Sequence, residues 1–291
     1  MSIEGAKGLL RASGLPPLEI VDVGANPIEG DAPYKAMLDN GLARVTGFEP
    51  NAEAFNKLQA RKSEAETYLP HALGDGQPAT LHLFQHSGFT SLFPIDTTAA
   101  QRLGFGKSAE PRGSLQIDTS RLDDLDDVPL ASLLKIDVQG AETMIIGNGR
   151  NKLSRAMAIW TEVRLVPLYQ GEPTFGDLDA ELRSQGFMFH DFAFLKRVPL
   201  GGRTSRRAMR KRFFRQVVDG DAIYIRDPEG PGIDNAQVVA LAVLAAGVLL
   251  SAELAFHCAD ILVRNGALNE ADHAAFVAAL PAGSVRAEQA L

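Results

Sequence analysis

Three apolar runs in this 291-residue sequence end in groups that accept protons: "KIDVQGAE" carries Asp137, "IWTEV" carries Glu162, and "FMFHDF" carries His190 and Asp191. Carboxylates and imidazoles are the side chains that take a proton from a weakly acidic hydroxyl near neutral pH. Asp137 is the first candidate for such a base and His190 the second, with Glu162 at a neighbouring strand end. The oxygens of Asp137, Glu162 and Asp191 admit another reading, a Mg²⁺ site built from carboxylates and waters. Carboxylates on separate strands are a weaker signal than a local ligand motif, so the expectation is a site without metal.

A binding turn precedes these groups in the chain. In "IVDVGANPIEGDAPY" an apolar run ends at Asp22, and Gly24 opens a turn where a side chain would hold a ligand away from the backbone. The dinucleotide fingerprint G-x-G-x-x-G is absent, which leaves a pyrophosphate cradle without support. "GFEP" then puts Glu49 at the end of the next run, where an acid can accept both hydroxyls of a ribose diol. Asp22 can position the turn and face a ligand ammonium. In "ALGDG", Asp75 stands in a further turn, within reach of an adenine amino group or simply as an Asp-Gly turn. A nucleoside with an amino-acid tail and no phosphates suits this set, and S-adenosylmethionine is that molecule.

The elements that must position these groups alternate in type. Strands are predicted at 18–24, 44–50, 66–74, 79–85, 133–139, 157–163, 187–194 and 221–227, with helical patterns between them. Such alternation predicts a mostly parallel sheet covered on both faces. Asn51 is placed to cap one helix and Thr174 or Asp177 another, while Gly41 and Gly186 stop helices. The last two strands are separated by a short basic segment, which predicts an antiparallel final strand. "RDPEGPG" marks a linker, dividing the chain into residues 1–230 and a helical extension at 231–291.

"DVGAN", "FEPN", "LLKIDVQGAE" and "TEV…PLYQGEPTFGDLDAELRSQGF" together resemble the FkbM family of S-adenosylmethionine-dependent methyltransferases, over residues 18 to about 227. The resemblance implies a Rossmann-like class I methyltransferase fold with a seven-stranded sheet. It assigns Asp22, Gly24 and Asn26 to the cofactor loop, Glu49 to the ribose and Asp75 to the adenine. It further places Glu142 where it orients a loop or the substrate, and makes "HSGFTSLF" a substrate-side loop with Thr90 and Ser91 as polar contacts. The family usually has a further glycine two residues after the Asn of "GAN", whereas this chain has Pro27-Ile28 and its next glycine at Gly30. Methylation of a sugar or glycan hydroxyl is what the family analogy implies for the acceptor. A methyltransferase with a lipid-linked or other small-molecule acceptor, and a catalytically silent binding or scaffold protein, stand as alternatives.

"KRVPLGGRTSRRAMRKRFFRQ" concentrates basic residues, Arg206 and Arg207 among them, in a chain of net charge -7. Such a cluster suits an anionic acceptor, with Arg206 and Arg207 as contacts, or peripheral contact with an anionic membrane. No nucleic-acid partner is expected, because no RNA-binding module surrounds the cluster. The single cysteine, Cys258, rules out an intrachain disulfide. Together with an N-terminus lacking a secretory pattern, it gives the expectation of a cytoplasmic protein. The apolar run at 236–250 carries Gln237 and is followed by Ser251 and Glu253, so a buried helical hairpin or a homo-oligomer interface is expected rather than a membrane span.

Overall fold

The computed structural model describes residues 3–25, 30–201 and 214–279. Its first half contains α1 (Ile3–Ser13), β1 (Leu18–Val23), α2 (Lys35–Asp39), β2 (Ala43–Phe48), α3 (Ala52–Arg61), β3 (Glu66–Leu69), β4 (Ala72–Leu73), β5 (Ala79–Phe84), α4 (Thr97–Arg102), β6 (Pro111–Ile117) and β7 (Thr119–Ser120). There follow β8 (Leu133–Ile136), α5 (Glu142–Gly147), β9 (Ala158–Arg164), α6 (Phe175–Ser184), β10 (Phe187–Val198), β11 (Gln216–Arg226), α7 (Asn235–Leu244), a π-helical turn (Ala245–Leu249), α8 (Ala252–Arg264) and α9 (Glu270–Ala279).

Seven strands form one sheet in the order β10-β11-β9-β8-β1-β2-β3. The chain runs outward from β1 through β2 to β3 and then returns to lay β8 on the other side of β1. All neighbours pair in parallel except β11, which is antiparallel to both β9 and β10. This is the class I methyltransferase arrangement, a doubly wound sheet with one reversed strand. Doubly wound sheets bind ligands in the crevice where the strand order reverses, which here falls at the carboxyl ends of β1 and β8.

Local signals explain the frame. Asn51 accepts the amide of Ala54 at 3.0 Å and starts α3, and Thr174 with Asp177 forms a capping box on α6. Gly41 and Gly186 adopt left-handed φ values of 68° and 84° just beyond α2 and α6. One expectation needs correction. Residues 66–74 are not a single strand, because the run stops at Leu69 before Pro70 and resumes as β4, which pairs with β7. Likewise β5 leaves the main sheet and pairs antiparallel with β6. β6 is exposed along nearly its whole length, so it has no apolar alternation to announce it.

One face of the sheet is covered by helices from both ends of the chain. Ile20, Val45, Leu133, Ala158, Ile223 and Ile225 share a core with Leu9 and Leu10 of α1 and with all of α7 from Val238 to Leu244. Burying each such aliphatic side chain stabilises by roughly 1.5–3 kcal/mol, so the apolar run from Val238 to Leu249 is accounted for by the core it joins, while Leu250 is exposed. Among the described residues, no helix is long and apolar enough to cross a membrane. A separate small core of Phe84, Ile95, Leu103, Tyr169, Val198 and Val218 joins the β5–β6 hairpin and α4 to the far ends of β10 and β11.

Candidate active site

The crevice is built first from the end of β1. Gly24 has φ +80°, and a Cβ placed there would lie 2.2 Å from the carbonyl oxygen of Asp137. The glycine is therefore required by the close approach of the β1 turn to the end of β8. Asp22 is 2% exposed. Its Oδ2 accepts the Tyr34 hydroxyl at 2.5 Å, and its Oδ1 faces the Lys135 ammonium at 3.2 Å. Lys135 also donates to the Gly24 carbonyl at 3.2 Å. Burial works against the charge on Lys135, but Asp22 and Asp137 outweigh it and the shift is upward. Asp22 thus ties the turn to β8. Its Oδ1 meets Lys135 as an ion pair but is buried without a hydrogen-bond partner among the described residues.

Glu49 follows β2 and is 6% exposed. Its Oε1 accepts the Asn51 amide at 2.8 Å, and among the described residues its Oε2 has no hydrogen-bond partner. Burial raises its pKa, the Asn51 amide pulls it back, and Asp22 raises it further. An outward-looking carboxylate oxygen at the end of the strand beside β1 fits a ribose diol. Asp75 is exposed and accepts the amide of Gln77 at 3.0 Å, closing its own turn. Asn26, Arg206 and Arg207 lie outside the described residues, as does the Pro27-Ile28 departure.

On the other side of the turn stands a group of carboxylates. Asp137 follows β8 and is exposed, Glu142 opens α5, and Glu162 lies near the end of β9; one oxygen from each lies within 4.8 Å of the others. Glu142 accepts the amides of Val138 at 2.8 Å and Gly140 at 2.9 Å, which folds the "DVQG" turn back on itself. Burial pushes its pKa up to about 7 against the amides of Val138 and of Glu142 itself, with Asp137 adding to the rise and Arg164 opposing it. Glu162 is raised well above the ordinary carboxylate range, first by burial and then by Asp137, Glu142 and Asp219, with Arg164 opposing.

Arg164 is the cation in this network. Its guanidinium reaches Glu162 at 3.2 Å, Glu172 at 3.4 Å and Asp219 at 2.9 Å, while Lys196 lies 3.4 Å from Asp219. Three carboxylates, with Glu172 and Asp219 buried and Glu162 nearly so, share one guanidinium, and burial raises the pKa of Glu162 and Glu172 against its pull. Gln139 sits at the centre: Nε2 donates to Asp137 at 3.1 Å and Glu162 at 2.8 Å, and Oε1 accepts from Arg164 at 3.2 Å.

The raised pKa values carry a pH dependence. The folded chain retains a proton on Glu142 up to about pH 7 that the unfolded chain releases near pH 4.5, so stability falls as pH rises through that window, and Glu162 shifts in the same direction. At about 1.4 kcal/mol per pKa unit, the rise of Glu142 alone amounts to about 3 kcal/mol. Urea midpoints are expected to decrease from pH 5 to pH 7.5, and an increase over that window would contradict the assignment.

Of the sequence candidates, Asp137, Glu142 and Glu162 are brought together and His190 with Asp191 is not. β11 intervenes between β9 and β10, and Glu162 is level with Asp221, which is level with Phe194. Asp191 pairs with Ile223, nearer the amino end of the sheet. His190 instead meets the Ser251 hydroxyl at 3.0 Å, beneath the C-terminal helices. The alternative reading, a Mg²⁺ site of Asp137, Glu162 and Asp191, is therefore not assembled among the described residues. Asp137, Glu142 and Glu162 instead bring one oxygen each within 4.8 Å of the others, with both Glu142 oxygens accepting backbone amides and the two Glu162 oxygens accepting from Arg164 and Gln139.

Ser91 is 1% exposed and its hydroxyl is used twice, donating to the Gln139 carbonyl at 2.6 Å and accepting from the Phe93 amide at 3.0 Å. The expected substrate contact is corrected to a brace for the carboxylate turn. Thr90, half-buried, ends the turn at Ser87–Phe89. That turn reaches the site through Tyr169, whose hydroxyl donates to the Phe89 carbonyl at 2.8 Å. Sequence reasoning passed over Gln139, Arg164, Tyr169, Glu172 and Asp219. Arg164 carried a signal, since it stands two residues after Glu162 and so on the same face of the strand.

With this geometry in hand, comparison with known proteins is direct. The sequence profile described as "Methyltransferase FkbM domain" matches residues 22–189, more than half of the chain. No curated protein sequence matches. Among solved structures, magnesium protoporphyrin IX methyltransferase from Synechocystis PCC 6803 with bound SAM shares 13% identity, with 77% of each chain covered and a TM-score of 0.35. A TehB-like SAM-dependent methyltransferase from Corynebacterium glutamicum shares 10% identity over 77% of this chain and 88% of that one, TM-score 0.35. Precorrin-6y C5,15-methyltransferase from Geobacter metallireducens shares 15% over 76% and 85%, TM-score 0.31. Superpositions this loose add nothing to the strand order. The profile spans the β1 turn, Glu49, the carboxylate group and α6, and on that match the chain belongs to the FkbM family of S-adenosylmethionine-dependent methyltransferases.

Proposed function

We propose that this methyltransferase is an O-methyltransferase acting on a hydroxyl of a sugar or glycan-type acceptor, with Asp137 as the base. The observation that carries the reading is adjacency: an exposed carboxylate follows β8, and its own carbonyl abuts Gly24 in the cofactor turn. The Glu49 carboxylate and the Gly24 turn would hold the cofactor. When bound, S-adenosylmethionine supplies a methyl group on a positively charged sulfur. The chain's own part is alignment and proton removal. Asp137 accepts the hydroxyl proton as the oxygen becomes nucleophilic, and it is the exposed carboxylate of the group, whereas burial raises the pKa of Glu142 and Glu162. An acceptor that also carries a phosphate is favoured by the basic composition of residues 196–215.

The test is transfer from methyl-tritiated S-adenosylmethionine to methyl glycosides, nucleotide sugars and glycolipids. Label in an alkali-stable ether supports the reading. Label confined to alkali-labile esters or to amines would oppose it. Glu49→Ala is expected to weaken binding of S-adenosylhomocysteine by about 10–100-fold, the worth of a charged hydrogen bond, while the thermal midpoint stays within a few degrees. Unchanged affinity in a titration of that variant would remove Glu49 from the cofactor site.

A further inference from the structure

Gln139 has φ 59°, one of two non-glycine residues at positive φ among the described residues. Glycine would hold this backbone without strain, so the side chain is what the position adds. Each polar group of that side chain is engaged. Nε2 gives one hydrogen to Asp137 Oδ1 at 3.1 Å and the other to Glu162 Oε2 at 2.8 Å. Oε1 accepts from Arg164 at 3.2 Å, with the Tyr169 hydroxyl further off at 3.4 Å. The Gln139 carbonyl is fixed by Ser91 at 2.6 Å.

These bonds define a single orientation. Arg164 is donor-only and must meet the amide oxygen, so the amide nitrogen must face the two carboxylates. A flipped amide would set its donors against the guanidinium and its oxygen against two acids. Asp137 is gripped at Oδ1, which leaves Oδ2 for an acceptor, and Glu162 is held apart from it by the same nitrogen.

We propose that Gln139 is the positioning residue of the transfer step, an amide clamp that fixes the Asp137 carboxylate beside the cofactor turn and selects the oxygen that meets the acceptor. This rests on the reading of Asp137 as the base. A half-buried amide between two acids is well suited to the task, because it supplies two donors without adding a charge that would neutralise the base.

The test has an arm that needs no acceptor. In ¹H–¹⁵N spectra the side-chain amide pair of Gln139 is identified by its loss in Gln139→Gly. It is expected to exchange slowly with solvent, and Asp137→Asn and Glu162→Gln should each shift one proton of the pair. A fast-exchanging pair that neither substitution moves would overturn the clamp, whatever the outcome of the acceptor screen. On an acceptor found by that screen, Gln139→Gly should lower kcat at least tenfold, leave binding of S-adenosylhomocysteine within twofold, and not lower the thermal midpoint. A merely structural role would show the reverse, a lowered midpoint with kcat per folded molecule retained, and full activity in Gln139→Gly would equally overturn the proposal.

Discussion

Asp137→Asn is expected to lower kcat by about 10²–10⁴-fold, the usual contribution of a general base, while S-adenosylhomocysteine binds within about twofold of the parent. The substitution preserves shape and leaves an amide oxygen to accept from Gln139, so the turn keeps its path. It removes the charge that takes the proton. Binding should survive because the Asp137 atom nearest the cofactor turn is a backbone carbonyl, the one a Gly24 Cβ would strike, and that atom is untouched. His190→Gln provides the contrast. His190 faces Ser251 on the outer strand, away from Glu162, and its loss should leave kcat unchanged. Full activity in Asp137→Asn on an identified hydroxyl acceptor would refute the base assignment.

Arg164→Leu should be the most damaging change to the fold outside the hydrophobic core. Arg164 is 5% exposed and faces Glu162, Glu172 and Asp219. Removing one partner of a buried ion pair costs about 3–5 kcal/mol, because the remaining charge is left without compensation. Here three carboxylates lose the same cation, and of the three Lys196 pairs with Asp219 alone among the described residues. The deficit should narrow as pH is lowered toward 5, because protonated acids need no cation. Urea unfolding at pH 7.5 and pH 5 checks both statements, and a loss below about 1 kcal/mol at pH 7.5 would mean that solvent already screens the cluster.

The frame was legible where short-range chemistry decides it. Asn51 and Thr174 start helices because a side-chain oxygen meets a free amide, and Gly41 and Gly186 end them because they accept a positive φ. Glu49 and Asp137 were legible as strand-end acids because apolar runs stop immediately before them. What remained hidden depends on registers and partners far apart in the chain. β10 continues through Lys196 and Arg197 to Val198, so charged residues masked its true end and made His190 look closer to the crevice than it is. Arg164 and Asp219 lie 55 residues apart, and only the antiparallel pairing of β9 with β11 sets them side by side. Ser91 reads as a polar loop residue in sequence, yet a hydrogen bond to Gln139, 48 positions away, makes it buried structure. The need for Gly24 was visible, but its cause was not, because the Asp137 carbonyl that excludes a side chain comes from another strand.

The central claim is that the crevice at Gly24 and Glu49 binds S-adenosylmethionine, and calorimetric titration tests it most directly. The purified chain is expected to bind S-adenosylmethionine and S-adenosylhomocysteine one-to-one in the micromolar range, with no heat from NAD and with affinity lost in Glu49→Ala. Binding of NAD, or silence toward both adenosyl ligands by a folded chain, would contradict the account.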